Sequence, residues 1–397
     1  MIGTDKKTAT NVLKRKMLTN LIVKSIICKK LNYFYNIYMK KTIALLILFL
    51  SSNIFAEYKL ETVIEKLDFP WEAVFISKEE ILLTELPGKL KKINLKTKKI
   101  IEIENVPKVL FRGQGGLSGI VLHPNYSQNG WIYISYSKKV ANDQNTLVVD
   151  RLRITNNSVT DIENIFSAKA LRNPPVHYGA KMAFLDDNSL LITSGDGFDY
   201  REQAQDLDNH FGKIVRIKDN GQIPLDNPFF ETENLKDIFS FGHRNMQGLV
   251  VLPDGRIIEH EHGPQGGDEI NLIEAGKNYG WPVITYGIDY SGALISPFTE
   301  MKGMEQPLLH WTPSIAPSSM MIYKGTRFPS WTDSLFVSAL VSRDVRKIKF
   351  LEDGNLDEEI LFSELNSRIR NIFESPDGDI YLLTDKANAK IIKVNPI

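Results

Sequence analysis

Cysteine is all but missing from this sequence. Its single thiol, Cys28, falls within the first 56 residues, which read as a leader, so the remaining chain has neither disulfide stapling nor thiol catalysis available to it. Long apolar runs are also scarce. The run Ile43–Leu50 is far too short for a permanent bilayer anchor, and no stable membrane insertion of the mature chain is expected. No GxGxxG follows a first strand in a βαβ pattern, and GxxxxGK[ST] is absent, so nicotinamide and P-loop nucleotide use have no support. An excess of basic charge is lacking too. Ten of the 48 Lys and Arg but only one of the 48 Asp and Glu lie in residues 1–56, leaving 38 basic against 47 acidic beyond them. A net charge near −9 argues against nucleic acid as a partner.

What is present at the N-terminus is a secretory signal. From Met39 the chain reads MKKTIALLILFLSSNIFA: two lysines, the apolar run, then small and polar residues up to a cleavage expected after Ala56. Residues 39–56 are read as the signal peptide and 1–38 as a misassigned extension, a basic pre-segment being the alternative. Residues 57–397 are read as one domain, and a periplasmic or secreted location follows.

Beyond Ala56 the chain shows little 3.6-residue periodicity and many strand-sized β-branched or aromatic runs broken by Gly, Asp, Asn and Pro. One phrase recurs six times: strand, tight turn, strand, then a further strand, as in AKMAFLDDNSLLITSGD with GKIVRIKDNG and IRNIFESPDGDIYLLTD with AKIIKVN. Six copies at this spacing predict an all-β, six-bladed β-propeller, with YKLETVIEKL completing the last blade. A two-sheet sandwich would explain the strand content but not the recurrence.

In a propeller the innermost strands all begin around one axis, so residues just ahead of them converge. Gln114, His177, Arg244, Ser314 and Arg368 occupy such positions. His177 and Asp196 flank one strand-turn-strand unit, which suits either a carboxylate-oriented imidazole base or an ordinary structural hydrogen bond. Arg244 and Asn245 offer donors for an anion or oxyanion, and Arg368 and Arg370 share one face of an extended chain. The stretch EHEHGPQGGDEIN contains His-x-His without a third imidazole or thiolate, which gives zinc little support; its Gly-rich turn with Asp268 and Glu269 suits calcium. Trp281, Trp311 and Trp331 fit blade packing or ligand stacking.

Taken in order, RGQGGLSGIVLHP, HYGAKMAF with SGDG, FGHRNMQGL, EHGPQGGDEIN, GKNYGWP, APSSM and RIRNI resemble the soluble PQQ-dependent sugar dehydrogenases, most closely the aldose type. The resemblance runs from about Phe69 to Ile397. It implies a six-bladed propeller with pyrroloquinoline quinone (PQQ) over Ca²⁺, oxidising aldose sugars and passing electrons to an external acceptor, a quinone or small redox protein. It further implies His177 as general base, Asp196 as its orienting carboxylate, Gln114 beside the quinone, and Arg244 with Asn245 near the reactive carbonyl. Tyr290, Ser314, Arg368 and Arg370 would meet the cofactor carboxylates. Backbone carbonyls of Gly263 and Pro264 would bind the cofactor's calcium, with Glu269 and the Tyr279 backbone oxygen at a second, structural ion. Val341 stands where the family often has lysine, which Arg343 replaces or which leaves one cationic contact missing. A non-catalytic binding propeller and a calcium-dependent lactonase are the rival readings.

Overall fold

Each recurring phrase becomes a four-stranded antiparallel meander, its first two strands joined in four of the six by a turn of four or five residues and its inner strands too apolar to leave either face in water. The computed structural model describes residues 58–351 and 354–397, and the leader expectations for residues 1–56 lie outside them. Six sheets of four strands result. Blades 1 to 6 begin with the innermost strands Pro70–Phe75, Leu117–Leu122, Gly179–Phe184, Met246–Val251, Pro317–Ile322 and Ile369–Glu374. Each of these touches the innermost strand of the next blade, and the sixth touches the first, which closes the ring.

The expected continuity of apolar strands is observed: Ser189–Ser194 is buried along its whole length. Six apolar clusters hold the ring, each seated mainly between neighbouring blades. Tyr133 and Val149 of blade 2 meet Ile192 and Val215 of blade 3, and Phe336 of blade 5 meets Ile372 and Leu382 of blade 6. Full burial contributes roughly 1.5–3 kcal/mol for each large apolar side chain. Near the axis the Lys181 ammonium pairs with Glu72 Oε1 at 2.6 Å and lies 4.4 Å from the Trp71 ring centroid.

The ends of the described chain join within blade 6. Tyr58–Asp68 pairs antiparallel with Ala387–Pro396, placing Leu60 opposite Val394 and Thr62 opposite Ile392, as the first strand was expected to do. The outermost strand of this blade thus comes from the beginning of the sequence. Among the described residues no helix is long and apolar enough to cross a membrane.

Candidate active site

Gly179 opens the innermost strand of blade 3 and Ser194 closes the next strand, and the two are register partners. The hairpin therefore returns Asp196 beside His177, with Nδ1 and Oδ1 2.7 Å apart. Residue 195 has to be glycine: a Cβ there would sit 2.3 Å from the His177 carbonyl oxygen and 3.1 Å from Asn245 Oδ1. His177 itself has φ 51°, a left-handed conformation disfavoured for a side chain with a Cβ. It is held from both sides. Its N–H donates to Gln114 Oε1 at 2.8 Å, and buried Arg172 Nη1 donates to its carbonyl at 2.5 Å.

Asp196 is fully engaged. Oδ1 also accepts the Phe198 N–H at 2.9 Å, and Oδ2 accepts the Trp281 indole N–H at 2.8 Å. Burial works against its charge, but His177, Arg244 and the Phe198 N–H outweigh that and hold the carboxyl below its usual range. Burial pushes the His177 imidazole down, with Arg244 and Arg172 acting in the same direction and Asp196 opposing them. The result at neutral pH is a neutral ring whose Nδ1–H donates to Asp196 and whose Nε2 keeps its lone pair. That is the state a proton acceptor requires.

Blade 4 contributes the neighbouring cation. Arg244 Nη1 donates to the carbonyls of His262 at 2.9 Å and Gly263 at 2.6 Å, while its N–H donates to Glu261 Oε2 at 2.6 Å. Its Nε is buried without a partner, which leaves one donor of the fork unclaimed by protein. Asn245 Oδ1 accepts the Gly179 N–H at 3.2 Å, tying blade 3 to blade 4.

The GPQGG turn is too tight for a side chain at 263, where a Cβ would meet the carbonyl oxygens of Gly266 and Gly267 at 2.2 Å. Asp268 fastens it. Its carboxylate accepts the Gly263 N–H at 3.0 Å, the Ser314 hydroxyl at 2.7 Å and the N–H groups of Ile315 and Ala316 at 2.8 and 2.9 Å. Read from sequence as a hard ligand, Asp268 is instead saturated by donors of blades 4 and 5. From blade 6, Arg368 and Arg370 each place Nε on one oxygen of Asp385, at 2.7 and 3.2 Å. One carboxylate for two guanidiniums leaves a surplus positive charge.

Three adjoining cavities take in most of these groups. One of about 330 Å³ is lined by Gln114, Asn245, Arg368, Arg370 and Asp385. The second, about 670 Å³, has Gly263, Pro264, Ser314, Tyr290 and Val341 in its wall and shares His262 and Ala316 with the first. The third, about 280 Å³, is lined by Asp196, Arg244 and Trp281 and shares Pro264 and Tyr290 with the second. A larger space of about 790 Å³ lies at the far ends of the innermost strands, away from these groups. Val341 is exposed, and Arg343 Nη1 donates to Asn366 Oδ1 at 2.8 Å, so Arg343 is engaged elsewhere. Glu269 and Tyr279 line none of the three cavities; burial raises the Glu269 carboxyl to about 8, and the Tyr279 ring stacks on His243 at 4.6 Å.

Asp385, Arg172 and Phe198 were missed by sequence reasoning. Phe198 lies edge-on to His177 at 5.2 Å and stacks with exposed Tyr290 at 6.3 Å, forming one wall beside the imidazole. Its place two residues after Asp196 in SGDGFD was the available signal.

A six-bladed propeller with a carboxylate-oriented imidazole and converging arginines at one end of its innermost strands places the chain in the class of propellers that gather polar groups at one mouth. Within that class, the chain belongs to the glucose/sorbosone dehydrogenase family, whose pattern matches residues 67–393. It is 35% identical over 348 residues to the aldose sugar dehydrogenase YliI of Escherichia coli, covering 86% of this chain and 94% of that protein. It is 26% identical over 424 residues to quinoprotein glucose dehydrogenase B of Acinetobacter calcoaceticus, covering 85% and 88% of the two chains. The crystal structure of the soluble E. coli aldose sugar dehydrogenase in its apo-form superposes with a TM-score of 0.82, covering 86% of this chain and all of that one.

Proposed function

We propose that this protein oxidises aldose sugars at C1 to lactones with PQQ as the immediate oxidant and an external acceptor taking the electrons onward. Family membership and the likeness to the E. coli aldose sugar dehydrogenase support the reaction class. The observation that supports the chemistry is the neutral His177 imidazole backed by Asp196, which lines one cavity with Arg244, next to the surplus guanidinium charge of Arg368 and Arg370 in another.

The donor set fits PQQ, which carries three carboxylates and an ortho-quinone. Arg368 and Arg370, with Tyr290, would meet the carboxylates, while Gln114, Arg244 and Asn245 would face the quinone edge; Ser314, expected among the carboxylate contacts, lines the cavity but gives its hydroxyl proton to Asp268. The carbonyls of Gly263 and Pro264 suit Ca²⁺, a hard cation, and Glu269 with the Tyr279 backbone oxygen suits a second ion. When bound, PQQ supplies a two-electron acceptor for the sugar's C1 hydride. His177 Nε2 accepts the proton of the anomeric hydroxyl as that hydride departs. Asp196 stabilises the imidazolium so formed and fixes the ring, and Arg244 offers positive charge where negative charge develops.

A neutral lactone substrate would leave the paired arginines without a purpose, so hydrolysis accounts for less of the site. The segment 39–56 directs export, and the mature chain acts in the periplasm or outside the cell. Reconstituting purified apo-protein with Ca²⁺ and PQQ and following dye reduction with several aldoses tests the reading. Turnover dependent on both additions is expected; absence of PQQ binding at micromolar cofactor would overturn it.

A further inference from the structure

The strand Ile257–Glu261 alternates its faces, so the glutamates of the Glu-His-Glu sequence point one way and His260 the other. Facing Glu259 and Glu261 is His243, from the loop that carries Arg244. All three are buried, with relative exposures of 0% for Glu259 and His243 and 4% for Glu261. One ligand-capable atom from each lies within 4.8 Å of the others.

Hydrogen bonding leaves this centre incomplete. His243 Nε2 is taken by Ser240 Oγ at 2.9 Å, which turns Nδ1 toward Glu261 Oε2 at 3.8 Å, too far for a hydrogen bond. His243 Nδ1 and Glu259 Oε1 have no partner at all. The other Glu259 oxygen has only a 3.3 Å contact from Asn271 Nδ2, and Glu261 Oε2 accepts the Arg244 N–H. Among the described residues no lysine or arginine side chain forms an ion pair with either glutamate. Glu259 and Glu261, with Glu269 across the ladder from Glu261, crowd buried acid that only the nearby Arg244 charge offsets, and protonating Glu259 at Oε1 would replace an orphaned acceptor with an orphaned donor.

A cation among the three side chains removes both defects. We infer that His243 Nδ1, Glu259 and Glu261 hold one divalent transition-metal ion of the zinc or manganese type. An imidazole nitrogen with two carboxylates suits such ions, whereas calcium prefers oxygen alone. Ligation at Nδ1 puts the proton on Nε2, where Ser240 Oγ accepts it and fixes the ring's orientation. The ion would tie the second strand of blade 4 to the loop that presents Arg244. The site adjoins the ion proposed at Glu269 and the Tyr279 backbone oxygen, since Glu269 is the register partner of Glu261 and the Tyr279 ring stacks on His243, but its three ligands are different side chains.

The test uses the full mature chain, stripped with EDTA and then given Zn²⁺ or Ca²⁺ singly, with bound metal counted by mass spectrometry and Tm recorded. The wild type should take up one more equivalent of Zn²⁺ than Glu259→Gln, and Zn²⁺ should raise Tm by several degrees in the wild type only. Glu259→Leu, which keeps the volume and removes the charge, should likewise lose that equivalent, and it covers the case of a glutamine variant that folds poorly. Equal Zn²⁺ uptake by wild type and Glu259→Leu would overturn the site. So would uptake of Ca²⁺ but not Zn²⁺ by the wild type, or a Glu259→Leu protein that is more stable with unchanged metal content.

Discussion

Blades 3 and 4 each set a buried histidine close to carboxylate groups, yet the two arrangements end differently. In blade 3 the carboxylate of the pair is satisfied: Asp196 accepts from His177, Phe198 and Trp281, and it lines a cavity together with Arg244 and Trp281. In blade 4, His243 and Glu259 each keep an unpaired polar atom in a place water does not reach. On the reading proposed here, completeness of hydrogen bonding, more than the identity of the residues, separates a pair suited to proton transfer from a cluster suited to a cation.

The largest expected effect breaks the blade 3 half of that comparison. His177→Ala should bind PQQ nearly as the wild type does, by spectrophotometric titration, while aldose turnover falls by roughly 10²–10⁴-fold, the range for a positioned general base. Near-normal turnover would remove His177 from the chemistry.

Next comes Asp196→Asn, which keeps the shape and removes the charge. Turnover should drop by on the order of 10²-fold, and the acid limb of kcat/KM should move to lower pH, because the group that raised the imidazole's proton affinity is gone. In the wild type that limb should already lie below the ordinary imidazole value of 6.5, since burial favours the neutral ring and activity is lost only when the pH falls far enough to protonate it. An unshifted limb would show that the two groups do not titrate together.

Arg370→Ala should weaken PQQ binding by roughly 10–100-fold, the equivalent of one charge-assisted hydrogen bond of about 1.5–3 kcal/mol, and leave Asp385 paired with Arg368 alone. Unaltered affinity would place the cofactor carboxylates elsewhere. The smallest effect is expected at Val341, where 59% exposure in the cavity wall leaves room for a longer side chain. Val341→Lys should tighten PQQ by a few-fold, read in the same titration, if a lysine is the contact this chain lacks.

The propeller and the convergence of its pre-strand residues were legible because one phrase, repeated, fixes both blade number and the direction of every innermost strand. Gln114, His177, Arg244 and Ser314 could be named from that rule without any contact being known. Asp385 could not be, since it is one acid in an ordinary turn, and only the fold lays it across two arginines. Arg172 was equally silent: nothing in ALRNPP marks a guanidinium that locks the backbone of residue 177. Glu259 drew no reading from the sequence, and its interest depends on an orphaned oxygen that no spacing records. Local pattern carries the scaffold, whereas the groups that orient the site act across tens of residues.

Closure of blade 6 by Tyr58–Asp68 against Ala387–Pro396 makes the ring a zip whose last teeth come from segments more than three hundred residues apart. A ribosome-bound chain can assemble its middle blades early, but Tyr58–Asp68 must wait, edge exposed, until Ala387–Pro396 emerges. Loss of even the last ten residues would therefore strand both ends at once and open the circle, a far greater injury than an equally long deletion from a surface loop.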